Sequence, residues 1–186
     1  RSSFAPSRYI AGLVLLFIVY LLPAQDPYAP GPVPDRIILT WQGNPTTSQA
    51  VSWRTDTTVS TPLGQIALAD ASPDLAQGAR AVQARTEKIK TNQNTALVHT
   101  ASFVDLQPNT LYAYRVGDGK NWSEWFHFRT AQSGVAPFSF LYFGDAQTDL
   151  KSLWSRTIRQ AYSAMPDVDF LLHAGDLINI ATRDEE

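Results

Sequence analysis

The chain has 186 residues, 44% of them hydrophobic and 17% charged, with a formal net charge of -2 and no cysteine. That length accommodates one domain and part of a second, in a composition that can bury a core. Without cysteine there is no disulfide framework, no thiol nucleophile and no lipid-attachment cysteine, and without a Lys/Arg cluster there is no electrostatic case for a nucleic-acid partner.

In chain order, Arg1 and Arg8 flank the start of an apolar run at 9–22, after which Pro23-Ala24-Gln25-Asp26 returns to small and polar residues. The run is shorter than the roughly twenty residues a bilayer core requires, so residues 1–24 read as a signal peptide cleaved after Ala24, with an uncleaved anchor as the alternative. The protein is therefore expected to be exported, periplasmic or secreted, and to meet a membrane only through this segment. Residues 25–34, with Pro27, Pro30, Pro32 and Pro34, read as a stiff extended spacer.

From residue 35 to about 133 the text becomes short alternating strands separated by turns, at 36–41, 49–54, 64–69, 95–103, 111–116 and 125–130. This pattern predicts an antiparallel β-sandwich. Alternation sends Trp41, Trp53, Tyr112 and Tyr114 to the core, where large rings fill the interior. Trp122 and Trp125, beside the Gly117-Asp118-Gly119 turn, stay open between packing and stacking on a glycan or a partner domain. Asn121-Trp122-Ser123 also satisfies the N-glycosylation pattern. The stretch from Val104 to Gly117 resembles the leucine–proline corner and tyrosine strand of fibronectin type III modules.

Residues 134–186 change register again. An apolar run ends at Phe143-Gly144-Asp145-Ala146-Gln147 and another at His173-Ala174-Gly175-Asp176-Leu177-Ile178-Asn179. Between them, Leu150, Leu153, Trp154, Ile158, Ala161, Tyr162 and Met165 follow a helical period and Pro166 stops it. The unit reads as strand, helix, strand over 138–143, 149–165 and 169–173. A right-handed crossover makes the two strands parallel neighbours or near neighbours and delivers Asp145 and Asp176 to one sheet edge. Hard carboxylate oxygens there suit a divalent or trivalent metal acting on phosphate. His173 reads as a strand residue facing away from the loop, and no Gly-x-Gly-x-x-Gly follows either strand, so a dinucleotide site is excluded.

Gly144-Asp145 and, about thirty residues on, Gly175-Asp176-x-x-Asn179 resemble the first two sequence blocks of calcineurin-like metallophosphoesterases, and the sandwich in front resembles the N-terminal domain of purple acid phosphatases. The resemblance implies a dinuclear phosphoric ester hydrolase, acting on a phosphate ester substrate, in which Asp145 holds one metal and Asp176 bridges both. Gln147 stands where the general pattern has histidine, and Asn179 where purple acid phosphatases have the tyrosine whose phenolate binds iron. Both are possible metal or substrate contacts, and Asn179 implies two divalent ions (Zn, Mn or Fe) and a colourless enzyme. The later Asn-His and histidine blocks have no counterpart, so the chain reads as a fragment carrying the first half of the site. The competing expectation is an extracytoplasmic fibronectin type III-like binding module whose α/β segment is degenerate.

Overall fold

A computed structural model describes residues 26–147 and 149–183 of the protein; the apolar run at 9–22 and its expected cleavage site lie outside them. Among the described residues no helix is long and apolar enough to cross a membrane. Eight strands come first: β1 (Asp35–Thr40), β2 (Gln49–Thr55), β3 (Leu63–Leu68), β4 (Arg80–Gln83), β5 (Arg85–Lys90), β6 (Thr95–Phe103), β7 (Leu111–Gly117) and β8 (Phe126–Arg129). They form two four-stranded antiparallel sheets, ordered β1-β2-β6-β5 and β4-β3-β7-β8. The expected sandwich is therefore the fold, and its six expected strands appear within one residue at either end. Strands β4 and β5 are additional.

The alternation in the sequence is the packing. In β2 and β6, Val51, Trp53, Ala101 and Phe103 point inward and are at most 1% exposed; in β7, Tyr112, Tyr114 and Val116 meet them from the other sheet. Rings from β8 complete the layer, with Phe128 stacked on Tyr112 at 5.8 Å and Phe126 against Tyr114 at 5.5 Å. Burial in this apolar layer pushes the Tyr114 hydroxyl up to about 12. The corner before β7 is tied by the Tyr112 hydroxyl, which accepts the Gln107 backbone N–H at 2.9 Å while Leu106 plugs the core beneath. This is the tyrosine corner of immunoglobulin-like sandwiches. Tyr112→Phe is expected to cost about 1–3 kcal/mol, because the Gln107 N–H loses its acceptor, and urea unfolding measures it.

One expectation about the tryptophans is corrected, and the pair left open acquires a partner. Trp41 is not a core residue: it is 47% exposed and sets its edge on Phe170 of the second unit, ring centroids 4.7 Å apart. Strand β1 ends at Thr40, so the alternation that packs Ile37 and Leu39 no longer governs the next side chain. Trp122 and Trp125 stack neither on the core nor, among the described residues, on another unit. They sandwich the Arg115 guanidinium, whose carbon lies 4.2 Å from one ring centre and 4.7 Å from the other.

His99 of β6 is wholly buried, bonded through Nε2 to the Thr55 hydroxyl at 2.8 Å and through Nδ1 to the Thr86 hydroxyl at 2.9 Å. Thr55 also donates to the Asp56 carbonyl at 3.0 Å, which leaves its oxygen to accept from Nε2–H and makes Nδ1 the acceptor for Thr86. Burial depresses the pKa of this imidazole. The folded state therefore resists a proton that the unfolded chain takes up near the ordinary histidine value of about 6.5. Stability is unaffected above that value and falls as the pH drops below it. Unfolding curves at pH 7.5 and 5.5 are expected to differ less for His99→Gln than for the parent.

The second unit is smaller. β9 (Phe140–Phe143) and β10 (Phe170–His173) pair in parallel, with Phe170 opposite Phe140 and His173 opposite Phe143. The expected single helix is divided: a π-helical turn, Leu150–Trp154, leads into α1 (Ser155–Ala164). Its start is displaced because Asp149 takes a left-handed conformation (φ 53°) and its carbonyl receives the N–H groups of Ser152, Leu153 and Trp154 together. Trp154 fills the angle between helix and sheet, edge-on to Phe143 at 4.9 Å and to His173 at 5.6 Å. His173 thus faces the helix, as expected for a strand residue turned from the loop.

Candidate metal edge

The two Gly-Asp steps leave neighbouring parallel strands at their carboxyl ends. Ala174 N–H donates to the Phe143 carbonyl at 2.8 Å, continuing the ladder one residue past the end of β10. Gly144 lies directly beside Ala174, where an added Cβ would sit 3.8 Å from that residue's methyl carbon. At the opposite end Asp169 fixes the register by accepting the Ser139 N–H at 2.8 Å. Asp145 and Asp176 then follow as the next residues of two loops that start side by side.

Both carboxylates are exposed, and both residues adopt left-handed backbone, φ 52° for Asp145 and 51° for Asp176. That region disfavours residues with a Cβ, so each aspartate is held against a local preference by the strand behind it. Gly175, at φ 102°, makes the sharp exit from β10 that only glycine adopts readily. The loops are cross-tied: Asn179 Nδ2 donates to the Gln147 carbonyl at 3.1 Å. All four residues singled out in the sequence therefore belong to one edge, Asp145 and Gln147 on the loop after β9, Asp176 and Asn179 on the loop after β10.

Near this edge the second unit also touches the sandwich and the spacer. Lys151, at the start of the π-helical turn, places its ammonium 3.9 Å from the ring centre of Tyr28 and bonds its hydroxyl. Asn92, on the β5–β6 turn, donates its N–H to the Thr182 carbonyl at 2.8 Å, and Asn94 beside it donates to Asp26 at 3.0 Å. The spacer is thus anchored on the sandwich, with Tyr28 reaching the second unit. Sequence reading missed this role because neither Tyr28 nor the asparagine turn carries a local signal of what it meets.

Two hard, anionic oxygen donors on adjoining loops match the chemistry of a divalent cation. They fit part of a coordination sphere: among the described residues no three His, Cys, Asp or Glu side chains come together as a ligand set.

The sandwich identifies the family. The family model described as purple acid phosphatase, N-terminal domain, matches residues 34–130, more than half of the chain. The chain belongs to that family, the N-terminal domain of a group of phosphoesterases. No curated protein matches the sequence. Among solved structures, that titled "Structure of PhoD" is similar over 83% of this chain and 29% of its own, at 15% identity and a TM-score of 0.49. Astrotactin-2, titled a conserved vertebrate-specific and perforin-like membrane protein, is similar over 56% of this chain and 22% of its own, at 16% identity and a TM-score of 0.40. A redesigned β-sandwich protein covers 54% of this chain and 96% of its own, at 21% identity and a TM-score of 0.34. The chain thus spans less than a third of the PhoD and Astrotactin-2 chains.

Proposed function

We propose that the chain belongs to an exported, metal-dependent phosphoric ester hydrolase and contributes the sandwich domain together with the first two metal-binding loops. The observation that carries the reading is the parallel register of β9 and β10, which sets Gly144-Asp145 beside Gly175-Asp176 at one carboxyl edge. Asp145 would hold one cation and Asp176 would bridge two. The bound ions would polarise the phosphoryl oxygens and supply a nucleophilic hydroxide near neutral pH. Asn179 ties the second loop to the first through the Gln147 carbonyl. An asparagine in that place cannot ionise, which favours a pair of divalent ions, zinc, manganese or ferrous iron, over a ferric centre.

The test is hydrolysis of an aryl phosphate with added divalent metal. Activity in the intact enzyme that disappears in the Asp145→Asn, Asp176→Asn double variant supports the reading; activity unchanged in that variant contradicts it. The 186-residue chain alone is expected to be inactive, because two carboxylates do not complete a dinuclear site. Metal-dependent turnover by the purified chain well above the double variant would show that no further ligands are needed.

A further inference from the structure

The outer face of the β4-β3-β7-β8 sheet carries a built cationic platform. Tyr112, Tyr114 and Val116 of β7 enter the core, so Arg115 points outward, as do its cross-strand neighbour Gln65 and, on β8, His127 and Arg129. Arg115 is fixed on three sides. Trp122 and Trp125 cover the two faces of its guanidinium, and Nε donates to Gln65 Oε1 at 2.8 Å. Gly117 makes room for this stack: an added Cβ there would lie 2.7 Å from a Trp122 ring carbon and 2.2 Å from the Asn121 carbonyl oxygen.

The loop that presents the two rings is rigid. Asp118 Oδ1 accepts the Lys120 and Asn121 N–H groups at 2.9 and 2.6 Å, and Ser123 exchanges bonds with the Val116 backbone at 2.9 and 3.1 Å. Burial opposes ionisation of Asp118, yet these donors outweigh it and hold the carboxyl below its ordinary range. That carboxylate is committed to its own loop and does not reach Arg115.

No carboxylate pairs with Arg115 among the described residues, and its two Nη groups have no partner there. None of the four strands of this sheet contains Asp or Glu, although the whole chain carries a net charge of -2. Besides Asp118, the connection between β7 and β8 carries one acidic residue, the exposed Glu124. Trp125, just before the edge strand β8, and His127 and Arg129 on it follow at alternate positions, about 7 Å per pair of residues, so a row leads away from the Arg115 stack. Among the described residues, the contacts of the second unit with the sandwich and spacer come from Trp41, Tyr28 and the β5–β6 turn and do not include this face.

We propose that this face binds an acidic polysaccharide, with the Nη edge of Arg115 gripping a uronate carboxylate, Trp125 stacking a sugar ring, and Arg129 meeting a later carboxylate of the same polymer. A guanidinium held between two rings has already lost the rotamer freedom that binding would otherwise cost, and its fork matches a carboxylate in plane. A linear sugar polymer suits the flat row, since each pyranose offers one apolar face to an indole and hydroxyls at its rim. Nucleic acid suits it less, because that ligand demands denser phosphate neutralisation than two arginines provide.

The experiment is affinity electrophoresis of the full chain in gels containing polygalacturonate, with dextran as the uncharged control. Retardation by polygalacturonate only is expected, weakening with salt. Arg115→Gln should bind about tenfold more weakly and Arg115→Lys fall between, because lysine keeps the charge and loses the fork. Arg129 lies outside the stack but donates through Nη1 to the Asn109 carbonyl at 3.0 Å, so Arg129→Gln is read together with its melting curve: weaker binding at an unchanged melting temperature is expected and tests the face even if the Arg115 variants unfold. Equal retardation by dextran, no effect of either Gln substitution, or stronger binding to duplex DNA or anionic vesicles would overturn the proposal.

Discussion

Trp53→Ala is expected to destabilise the sandwich by about 3–5 kcal/mol, the range for deleting a large buried aromatic ring. Trp53 is 1% exposed, lies among Val51, Ala101 and Phe103 at the centre of the core, and packs against His99 with ring centroids 5.3 Å apart. A domain of this size has a total stability of roughly 5–15 kcal/mol, so the loss removes a large part of it. The same residue carries an internal control. Its indole Nε1 is buried without a hydrogen-bond partner among the described residues, which itself costs on the order of 1–3 kcal/mol. Trp53→Phe removes that orphan donor while leaving most of the apolar volume, and it should cost much less than the alanine variant. Chemical denaturation of the three proteins gives the comparison; a Phe variant as damaged as the Ala variant would show that the fit of the indole itself, and not apolar volume, governs the site.

The second large effect is expected at Asp176. A carboxylate that bridges two cations both binds them and offsets their mutual repulsion, so Asp176→Asn removes more than one ligand bond. Loss of several kcal/mol of transition-state stabilisation corresponds to a fall in kcat/KM on the order of 10³. In the proposed site Asp145 would hold a single ion, so Asp145→Asn should be the milder of the two. Both aspartates are solvent-exposed and outside the core, so neither substitution should move the melting temperature of the sandwich appreciably. Steady-state kinetics with the melting curves of the same preparations separates a site effect from a folding effect.

The features legible in the sequence are those fixed by local periodicity. Strands with one face in the core, such as β2, β6 and β7, announce themselves by alternation, and the Gly-Asp steps announce two strand ends because few other uses exist for an apolar run stopped in that way. Strand β5 was not legible for the opposite reason. All six of its residues are exposed, and Arg85, Glu87, Lys88 and Lys90 make it polar on both faces. Such charges protect a sheet edge from pairing with other chains, and they also erase the pattern that marks a strand. Strand β4 is short and only Val82 is partly buried. Trp41 and Arg115 illustrate a different limit. Each is defined by a partner remote in sequence, Phe170 in one case and Trp122 with Trp125 in the other, and no window around either residue contains that information. The edge of the second unit was readable as a place, since residues 145 and 176 follow parallel strands. Its cross-tie through Asn179 was not, because an amide reaching a backbone carbonyl thirty-two positions away leaves no periodic trace.

The most direct measurement of the central claim is the metal content of the intact enzyme and its two single variants, taken with the visible spectrum. Two divalent ions per chain are expected in the parent, about one in Asp145→Asn and close to none in Asp176→Asn, with no charge-transfer band because Asn179 cannot supply a phenolate. Two ions retained in Asp176→Asn, or a strong visible band in the parent, would contradict the assignment of these loops as the metal edge.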